Sequence, residues 1–300
     1  MKRKLVKQGA ATLMVSLPSK WARQFSLKKG DEINIEEKNR NIVISAEPSN
    51  EIKKAKINIS EMGILGKRSI GALYKAGFDE IEIEFQKPEE ISNVYSVLNE
   101  LIGFEIIKQG EDECTIKEIT EAGESNFETI FNRTFLMLIS VAEDTVSSIK
   151  NKNFSLLSTI PERDLVINKY ANFCRRILNK GHENTEKIPM LYYIIEELEN
   201  LGDEYKHLAK FLVEAKLKPG QKTTDVFEKI NSLVKDFYSL NRKFEKRNAV
   251  AFAEKIKRTS AELNELLKTR SIEETKLLGY MSTMVQILFN MLGPLMTMAL

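Results

Sequence analysis

Apolar residues recur at helical spacing through almost the whole second half of the chain. From residue 125 onward one apolar face repeats every three or four positions, as in the series Phe127, Ile130, Phe131, Phe135, Leu138 and Val141. Five breaks divide this region into six helices of roughly 22 to 30 residues, and they lie near residues 151–153, 181–189, 219–220, 247–248 and 270–271. Two sets of three helices indicate an internal repeat. The pattern predicts a helical domain over residues 123–300 and a mainly α fold.

The first 29 residues carry only positive charge. They contain eight basic residues and no Asp or Glu, although the whole chain has a formal charge of only +2. The eight are Lys2, Arg3, Lys4, Lys7, Lys20, Arg23, Lys28 and Lys29. A solvated basic arm is one interpretation. The alternation of apolar residues through the same segment favours a folded domain that binds a polyanion.

Four short strands are predicted within the first 50 residues. The alternation of apolar residues places them at residues 2–8, 12–17, 31–37 and 42–45, and Pro18 begins a short helix that ends near Phe25. A turn is expected at Lys38–Asn41 and a linker at Pro48–Asn50. So small a sheet buries too little apolar area to be stable alone, so we expect residues 1–50 to form an intertwined homodimer.

A small α+β module is predicted over residues 51–122. Four strands are expected, at residues 55–60, 80–85, 104–109 and 114–119, with helices at 64–76 and 88–101. The order is β-α-β-α-β-β. The module contains no cluster of catalytic residue types, and its role is left open.

Two N-terminal segments carry a family resemblance. They are Val15-Ser-Leu-Pro18-Ser-Lys20-Trp21 and Leu27-Lys-Lys-Gly30-Asp31-Glu-Ile33. Together they resemble the swapped-hairpin DNA-binding domain of AbrB, SpoVT and MazE proteins. The resemblance implies a dimer that lays a basic face on double-stranded DNA. The residues expected to contact DNA are Lys2, Arg3, Lys4, Lys7, Lys20 and Arg23, and the two arginines are favoured as base or groove readers because a guanidinium can bind bidentately.

Two acidic helical segments resemble motifs of the PhoU family, regulators of phosphate uptake built from a pair of three-helix bundles. The segments are Glu162-Arg-Asp164-Leu-Val-Ile-Asn168 and Glu196-Glu-Leu-Glu199-Asn-Leu-Gly-Asp203. The resemblance implies a divalent or iron-type metal, held by Asp164, Asn168, Glu199 and Asp203. An ordinary solvated acidic edge is the alternative. Gln286 and Asn290 stand at the equivalent positions of the second repeat, so at most one metal site is predicted.

Taken together, the segments resemble an archaeal-type phosphate uptake regulator that fuses an AbrB-like domain to a PhoU domain. This predicts a DNA-binding transcriptional regulator of phosphate uptake and phosphate homeostasis, whose helical domain is a sensor or partner-binding module. The alternative is a PhoU-like adaptor that binds a phosphate transporter ATPase or a sensor kinase at the membrane, with the N-terminal domain only dimerising. A carboxylate-bridged metallohydrolase is a third possible function class. We expect no enzyme, because half of the metal ligands that such a site needs are missing.

The expected location is the cytoplasm. Cys114 and Cys174 form no CxxC pair, and no apolar leader begins the chain. The last span, residues 277–300, has no charged residue and is long enough to cross a bilayer. Its polar residues and its Gly293-Pro294 break favour a buried last helix of the bundle, with peripheral membrane association as the alternative. His182 and His207 are expected at the surface.

Overall fold

The computed structural model describes residues 2–9, 11–38, 41–46, 52–120, 126–181, 185–268 and 271–300. Helices account for 66% of the chain, which confirms the mainly helical fold with a small N-terminal β region and a C-terminal bundle. The chain divides into two compact units, Met1–Ile52 and Lys53–Leu300. Residues 39–40 of the predicted turn, the predicted linker and His182 lie outside the described residues.

In its described residues, the first unit has two antiparallel strand pairs and a short helix. Its elements are β1 (Val6–Gln8), β2 (Thr12–Met14), α1 (Ser19–Gln24), β3 (Ile33–Lys38) and β4 (Asn41–Ala46). Strand β1 pairs with β2, and β3 pairs with β4. The first two strands are shorter than predicted, because residues 2–5 and 15–17 have no ladder partner among the described residues.

A tight turn leads into β3. The backbone N–H of Lys28 donates to the carboxylate of Asp31 at 2.6 Å, and the N–H of Asp31 donates back to the carbonyl of Lys28 at 3.2 Å. Gly30 has a φ of +100°, a conformation that favours glycine. Gly30 and Asp31 therefore form the turn that precedes β3.

The second unit begins with the α+β module. Its elements are β5 (Lys54–Asn58), α2 (Ile64–Lys75), β6 (Glu80–Glu84), α3 (Ile91–Leu98), β7 (Phe104–Gln109) and β8 (Glu113–Glu118). The four strands form one sheet in the order β5-β6-β8-β7. Strands β5 and β6 are parallel and the other pairs are antiparallel. The element order agrees with the predicted β-α-β-α-β-β, and one sheet face packs with α2 and α3 in a small apolar core.

Among the described residues that follow there are seven α-helices, six of them long. They are α4 (Phe127–Asn151), α5 (Phe154–Leu157), α6 (Ile160–Lys180), α7 (Ile188–Glu214), α8 (Gln221–Arg242), α9 (Lys246–Leu267) and α10 (Ile272–Ala299). Helices α4, α6 and α7 pack together, as do α8, α9 and α10. The two sets also meet along α7 with α10 and along α4 with α8. One continuous apolar core therefore runs through both sets.

Two details of the helical region differ from the predictions. The break before α9 lies at residues 243–245 rather than 247–248. The backbone of Lys243 and Glu245 is extended, and the intervening Phe244 packs against the bundle core. The four-residue helix α5 was not predicted, and the side chain of Asn153 caps it by accepting from the N–H of Leu156 at 3.1 Å.

Helix α10 packs one face into the bundle core, where Leu277, Leu288 and Leu295 are buried. Among the described residues, no helix combines the length and the apolarity that crossing a bilayer requires.

The side chain of Arg176 joins the α+β module to the helices. Arg176 lies in α6 and is fully buried. Its guanidinium donates to the carbonyls of Tyr74 at 2.9 Å and Phe78 at 2.6 Å, and to the carboxylates of Asp79 at 2.8 Å and Glu118 at 2.7 Å. The Tyr74 ring lies 5.0 Å from the guanidinium carbon. These contacts make the module and the bundle parts of one unit.

We expect Arg176→Met to lower the free energy of unfolding by about 1 to 3 kcal/mol, because two carbonyls of the module lose their donor, while Lys180 still pairs with Asp79 and Glu118. Arg176→Lys should recover part of the loss, since an ammonium keeps the charge but not the planar fork of donors. Denaturant unfolding followed by circular dichroism measures both effects.

The matched control for this prediction is Arg258→Met. Arg258 forms an ion pair with Glu254 on the exposed face of α9, and its side chain is 75% exposed. Such surface pairs contribute about 0 to 1 kcal/mol, so this variant should unfold nearly like the wild type. Equal losses of unfolding free energy in the Arg176 and Arg258 variants would contradict the role of Arg176 in joining the module to the helices.

Candidate nucleic-acid interface and acidic cluster

The six basic residues predicted to contact DNA all lie at the surface of the first unit. Three precede β1, one lies in β1 and two lie in α1, and every one of them is exposed: Lys2, Arg3, Lys4, Lys7, Lys20 and Arg23. Arg23 is the one with a hydrogen bond in the described structure, from its Nε to the carbonyl of Ser19 at 3.2 Å.

These cations are not neutralised within the described part of the first unit. None of the six forms an ion pair with a described carboxylate, and the nearest acids along the chain follow Gly30. Asp31 is engaged with the backbone of Lys28. The segment therefore presents uncompensated positive charge, which is the electrostatic requirement for binding phosphate groups.

The first unit also exposes apolar side chains. Among its described side chains none is buried. Leu5, Leu13, Ile35 and Ile42 are each 60% to 65% exposed, and Val15 is 46% exposed. So many apolar side chains in so small a unit indicate a surface that another chain covers.

The acidic cluster lies between α6 and α7. Asp164 is 2% exposed, and the Lys206 ammonium donates to its carboxylate at 2.8 Å and also to the carboxylate of Asp203. The amide of Asn168 lies 3.4 Å from Asp164. Burial raises the pKa of Asp164, against the opposing hydrogen bond from Lys206. Two of the four predicted metal ligands, Asp164 and Asp203, therefore pair with Lys206, and Asn168 lies beside Asp164.

Glu199, the fourth predicted ligand, has a different partner. Its carboxylate accepts a hydrogen bond from Arg175, which also pairs with Glu196 at 3.2 Å. Arg175 is 1% exposed. Within the described residues no three Asp, Glu, His or Cys side chains are arranged to hold a metal ion.

The residues at this cluster do not fit a metal ion. A divalent cation needs several free oxygen ligands, but an ammonium lies between the two aspartates and a guanidinium neutralises the glutamate. The buried Oδ1 of Asp164 and Oδ1 of Asn168 have no hydrogen-bond partner, which is too few free oxygens for such an ion. A metal at these positions stays a prediction.

Sequence reasoning missed both cations of the cluster. Lys206 follows Asp203 by three positions on α7, so helical spacing already placed them on one face. Arg175 lies between Cys174 and Ile177, on the apolar side of α6, where an arginine requires a buried partner. Both signals were present in the sequence, but the choice of carboxylate partner depends on how α6 packs on α7.

Comparison with known proteins supports the N-terminal resemblance. A family model described as antidote-toxin recognition MazE, a bacterial antitoxin, matches residues 6–54. No curated protein matches the sequence significantly. Among solved structures, the phosphate transport system regulatory protein PhoU from Streptococcus pneumoniae matches with 16% identity and a TM-score of 0.48, covering 57% of this chain and 92% of that one. The predicted MazE-like character of the N-terminal region is confirmed, and a PhoU protein is a structural neighbour of the helical part.

We expect Lys206→Met to lower the free energy of unfolding by roughly 3 kcal/mol, because Asp164 is left as a buried carboxylate without a cation. The Tm of the wild-type chain should not change when Mg²⁺ or Mn²⁺ is added, since Lys206 already neutralises the acids. Thermal unfolding with and without each ion measures both effects.

Lys268→Met is the matched control, because the side chain of Lys268 is 66% exposed in its ion pair with Glu265. This variant should stay within about 0.5 kcal/mol of the wild type. A rise of several degrees in the wild-type Tm on addition of Mn²⁺ would instead favour a metal at the cluster.

Proposed function

We propose that the chain is a DNA-binding transcriptional regulator that binds duplex DNA as a homodimer through its first unit. The observation that carries the proposal is the set of six exposed basic side chains without a described carboxylate partner. They lie in a segment whose first 29 residues have no acid. The MazE-like match over residues 6–54 supports a domain of this type.

The charge of the segment suits a duplex. Eight basic residues per chain give a dimer sixteen positive charges in its two N-terminal segments. Each phosphate contact releases condensed counterions and contributes about −0.9 to the slope of log affinity against log salt concentration. The lysines would hold the backbone, and Arg3 and Arg23 would reach base edges or the groove.

The exposed apolar side chains support the dimer. A unit whose described side chains all lie at least partly exposed gains little from folding alone, because burial of apolar surface is the main stabilising contribution. Pairing with a second copy would bury Leu13, Ile35 and Ile42. It would also give partners to residues 2–5 and 15–17, which have none among the described residues.

We further propose that the helical part links DNA binding to phosphate uptake. Support comes from the two acidic motifs on α6 and α7, which resemble those of the PhoU family. Since the acids at these motifs are neutralised by Lys206 and Arg175, the sensor role would operate through a protein partner rather than a bound metal. Such coupling requires that the partner bind two states of the regulator with different affinity.

Neutralising four N-terminal cations should weaken DNA binding. We expect the combined variant Lys2→Gln, Arg3→Gln, Lys4→Gln and Lys7→Gln to bind labelled duplex DNA at least tenfold more weakly. Its salt slope should also fall in magnitude by up to about 7, since a dimer loses eight charges. Fluorescence anisotropy across a salt series measures both quantities.

The control variant removes three lysines and one arginine from exposed positions of the second unit: Lys216→Gln, Lys218→Gln, Lys222→Gln and Arg247→Gln. It should bind DNA like the wild type. Equal weakening in both variants would show that binding follows net charge alone. Absence of DNA binding by the wild-type chain would favour the membrane adaptor that the PhoU resemblance also implies.

The apolar face of the first unit should be required for dimerisation. We expect Leu13→Lys combined with Ile42→Lys to shift the chain from dimer to monomer at micromolar concentration, because the charges prevent burial of the shared face. Sedimentation velocity measures the change. Ile272→Lys, at a position 86% exposed at the start of α10, is the control and should remain dimeric. A double variant that stays dimeric and binds DNA normally would contradict this role.

A further inference from the structure

The first helix of each three-helix set carries the same polar motif. Both α4 and α8 contain the pattern Glu-x3-Ser-x2-Lys. The shared residues are Glu143, Ser147 and Lys150 on α4 and Glu228, Ser232 and Lys235 on α8. The five residues between these positions all differ between the two copies. The internal repeat therefore keeps three polar positions and not the sequence around them.

Helices α4 and α8 run antiparallel, so the two copies of the motif contact each other reciprocally. Lys235 pairs with Glu143 at 2.6 Å, and Lys150 pairs with Glu228. The four side chains are 40% to 56% exposed. The arrangement has local twofold pseudo-symmetry, with one Lys–Glu pair at each end and one serine from each helix in the middle.

A cavity of about 460 Å³ lies between the two helices, the α4/α8 cavity. All six motif residues line it, together with Val146, Asn151 and Asn231. Asn231 is 7% exposed. Its amide donates to the carbonyl of Ala142 at 2.6 Å, and its oxygen accepts from the hydroxyl of Tyr205 at 2.7 Å. The base of the cavity is therefore held in place by contacts of α8 with both α4 and α7. Cavities of this size between bundle helices accommodate small ligands.

The cavity has unused hydrogen-bond donors. The side chains of Ser147 and Ser232 are exposed, and neither hydroxyl donates to a described residue, although Ser147 accepts from the amide of Asn151 at 3.3 Å. Thr145 and Ser239, on the same two helices, instead donate to the carbonyl four positions earlier. Each motif lysine has one carboxylate partner among the described residues, whereas an ammonium has three donors. A ligand can therefore bind these groups without breaking either ion pair.

The length and the charges of the cavity define the kind of ligand. Seven positions of helix separate the glutamate and the lysine of each motif, so the two ion pairs lie roughly 10 Å apart. The lining has two cations and two carboxylates, so a ligand without net charge leaves no unbalanced charge there. The hydroxyl and amide groups in the middle can donate and accept, as the groups of a peptide backbone do. An extended chain of three residues also spans about 10 Å.

We propose that the α4/α8 cavity binds a linear zwitterion about 10 Å long, of the class of a short peptide with free ends. The carboxylate of the ligand binds the lysine at one end, its ammonium binds the glutamate at the other end, and its peptide groups bond the two serines. Because of the pseudo-symmetry, the ligand binds in either direction. One direction uses Lys150 and Glu143, and the other uses Lys235 and Glu228.

Ligands with net charge fit the cavity less well. A dianion that bridged both lysines would meet a glutamate at each end, and a dication that bridged both glutamates would meet a lysine at each end. Either would add net charge to a neutral lining, which is costly where solvent is partly excluded. The proposal concerns the helical part alone and does not depend on DNA binding by the first unit.

Isothermal titration calorimetry of the full chain with triglycine tests the proposal, using two double variants that remove the same charges from different places. Lys150→Gln with Glu143→Gln disables one binding direction and leaves the other, so we expect it to keep at least about half of the wild-type affinity. Lys150→Gln with Glu228→Gln removes both groups at one end, which either direction needs. Its affinity should fall at least tenfold, since a hydrogen bond to a charged group is lost in both directions.

Lost stability would rank the two double variants in the opposite order. The first breaks both ion pairs and the second breaks only one, so weaker binding by the second would not reflect unfolding. The control is Lys229→Gln with Glu262→Gln. It removes an ion pair of similar exposure, 51% and 41%, that links α8 to α9 instead of α4. This control should bind triglycine like the wild type.

Three results would overturn the proposal. The first is that triglycine does not bind the wild-type chain. The second is equal weakening of triglycine binding in the two double variants, or in the α8–α9 control. The third is tighter binding of suberate or of 1,8-diaminooctane, a dianion and a dication of similar length, than of triglycine.

Discussion

The buried guanidinium of Arg176 connects parts of the second unit that lie 58 to 102 positions apart in sequence. It satisfies two carbonyls and two carboxylates of the α+β module from a position within the bundle helix α6. The two terminal nitrogens of this fully buried guanidinium are matched by carbonyls and carboxylates, although its Nε has no hydrogen-bond partner. A buried charge needs such partners, so the sheet and the helix must hold their relative position. The module that the sequence marks as residues 51–122 is thereby part of one compact unit with the helices.

The architecture was largely predictable because it follows from apolar periodicity. Apolar residues spaced by three and four positions in residues 125–300 predicted the long helices. Alternation around Ile81 and Ile83 predicted a strand, and the structure has both elements. The end of α8 was misplaced because the partly buried Phe244 lies in an extended segment rather than in a helix, and its apolar spacing does not distinguish the two. Short capped elements such as α5 carry too few residues to show a period.

The candidate site was less predictable, since it depends on pairing across elements. The spacing of Glu199 and Asp203 correctly placed both on α7, but in the structure they turn to different cations, Arg175 and Lys206. A helical wheel shows the direction in which a side chain points, but it does not show which side chain of a neighbouring helix forms an ion pair with it. The N-terminal cations were easier to identify, because exposed charge needs no partner to be recognised. Their DNA contacts remain a prediction.

None of the described side chains of the first unit is buried, and this determines how its function depends on protein concentration. If a second copy supplies the apolar core that one copy lacks, the proposed DNA-binding surface becomes ordered only when two chains associate. The rate and extent of this ordering then depend on the concentration of both chains. Below the dissociation constant of the pair, the number of competent surfaces then grows with the square of the protein concentration. If this surface binds DNA as proposed, a modest change in synthesis or degradation would produce a disproportionate change in DNA occupancy, without any ligand.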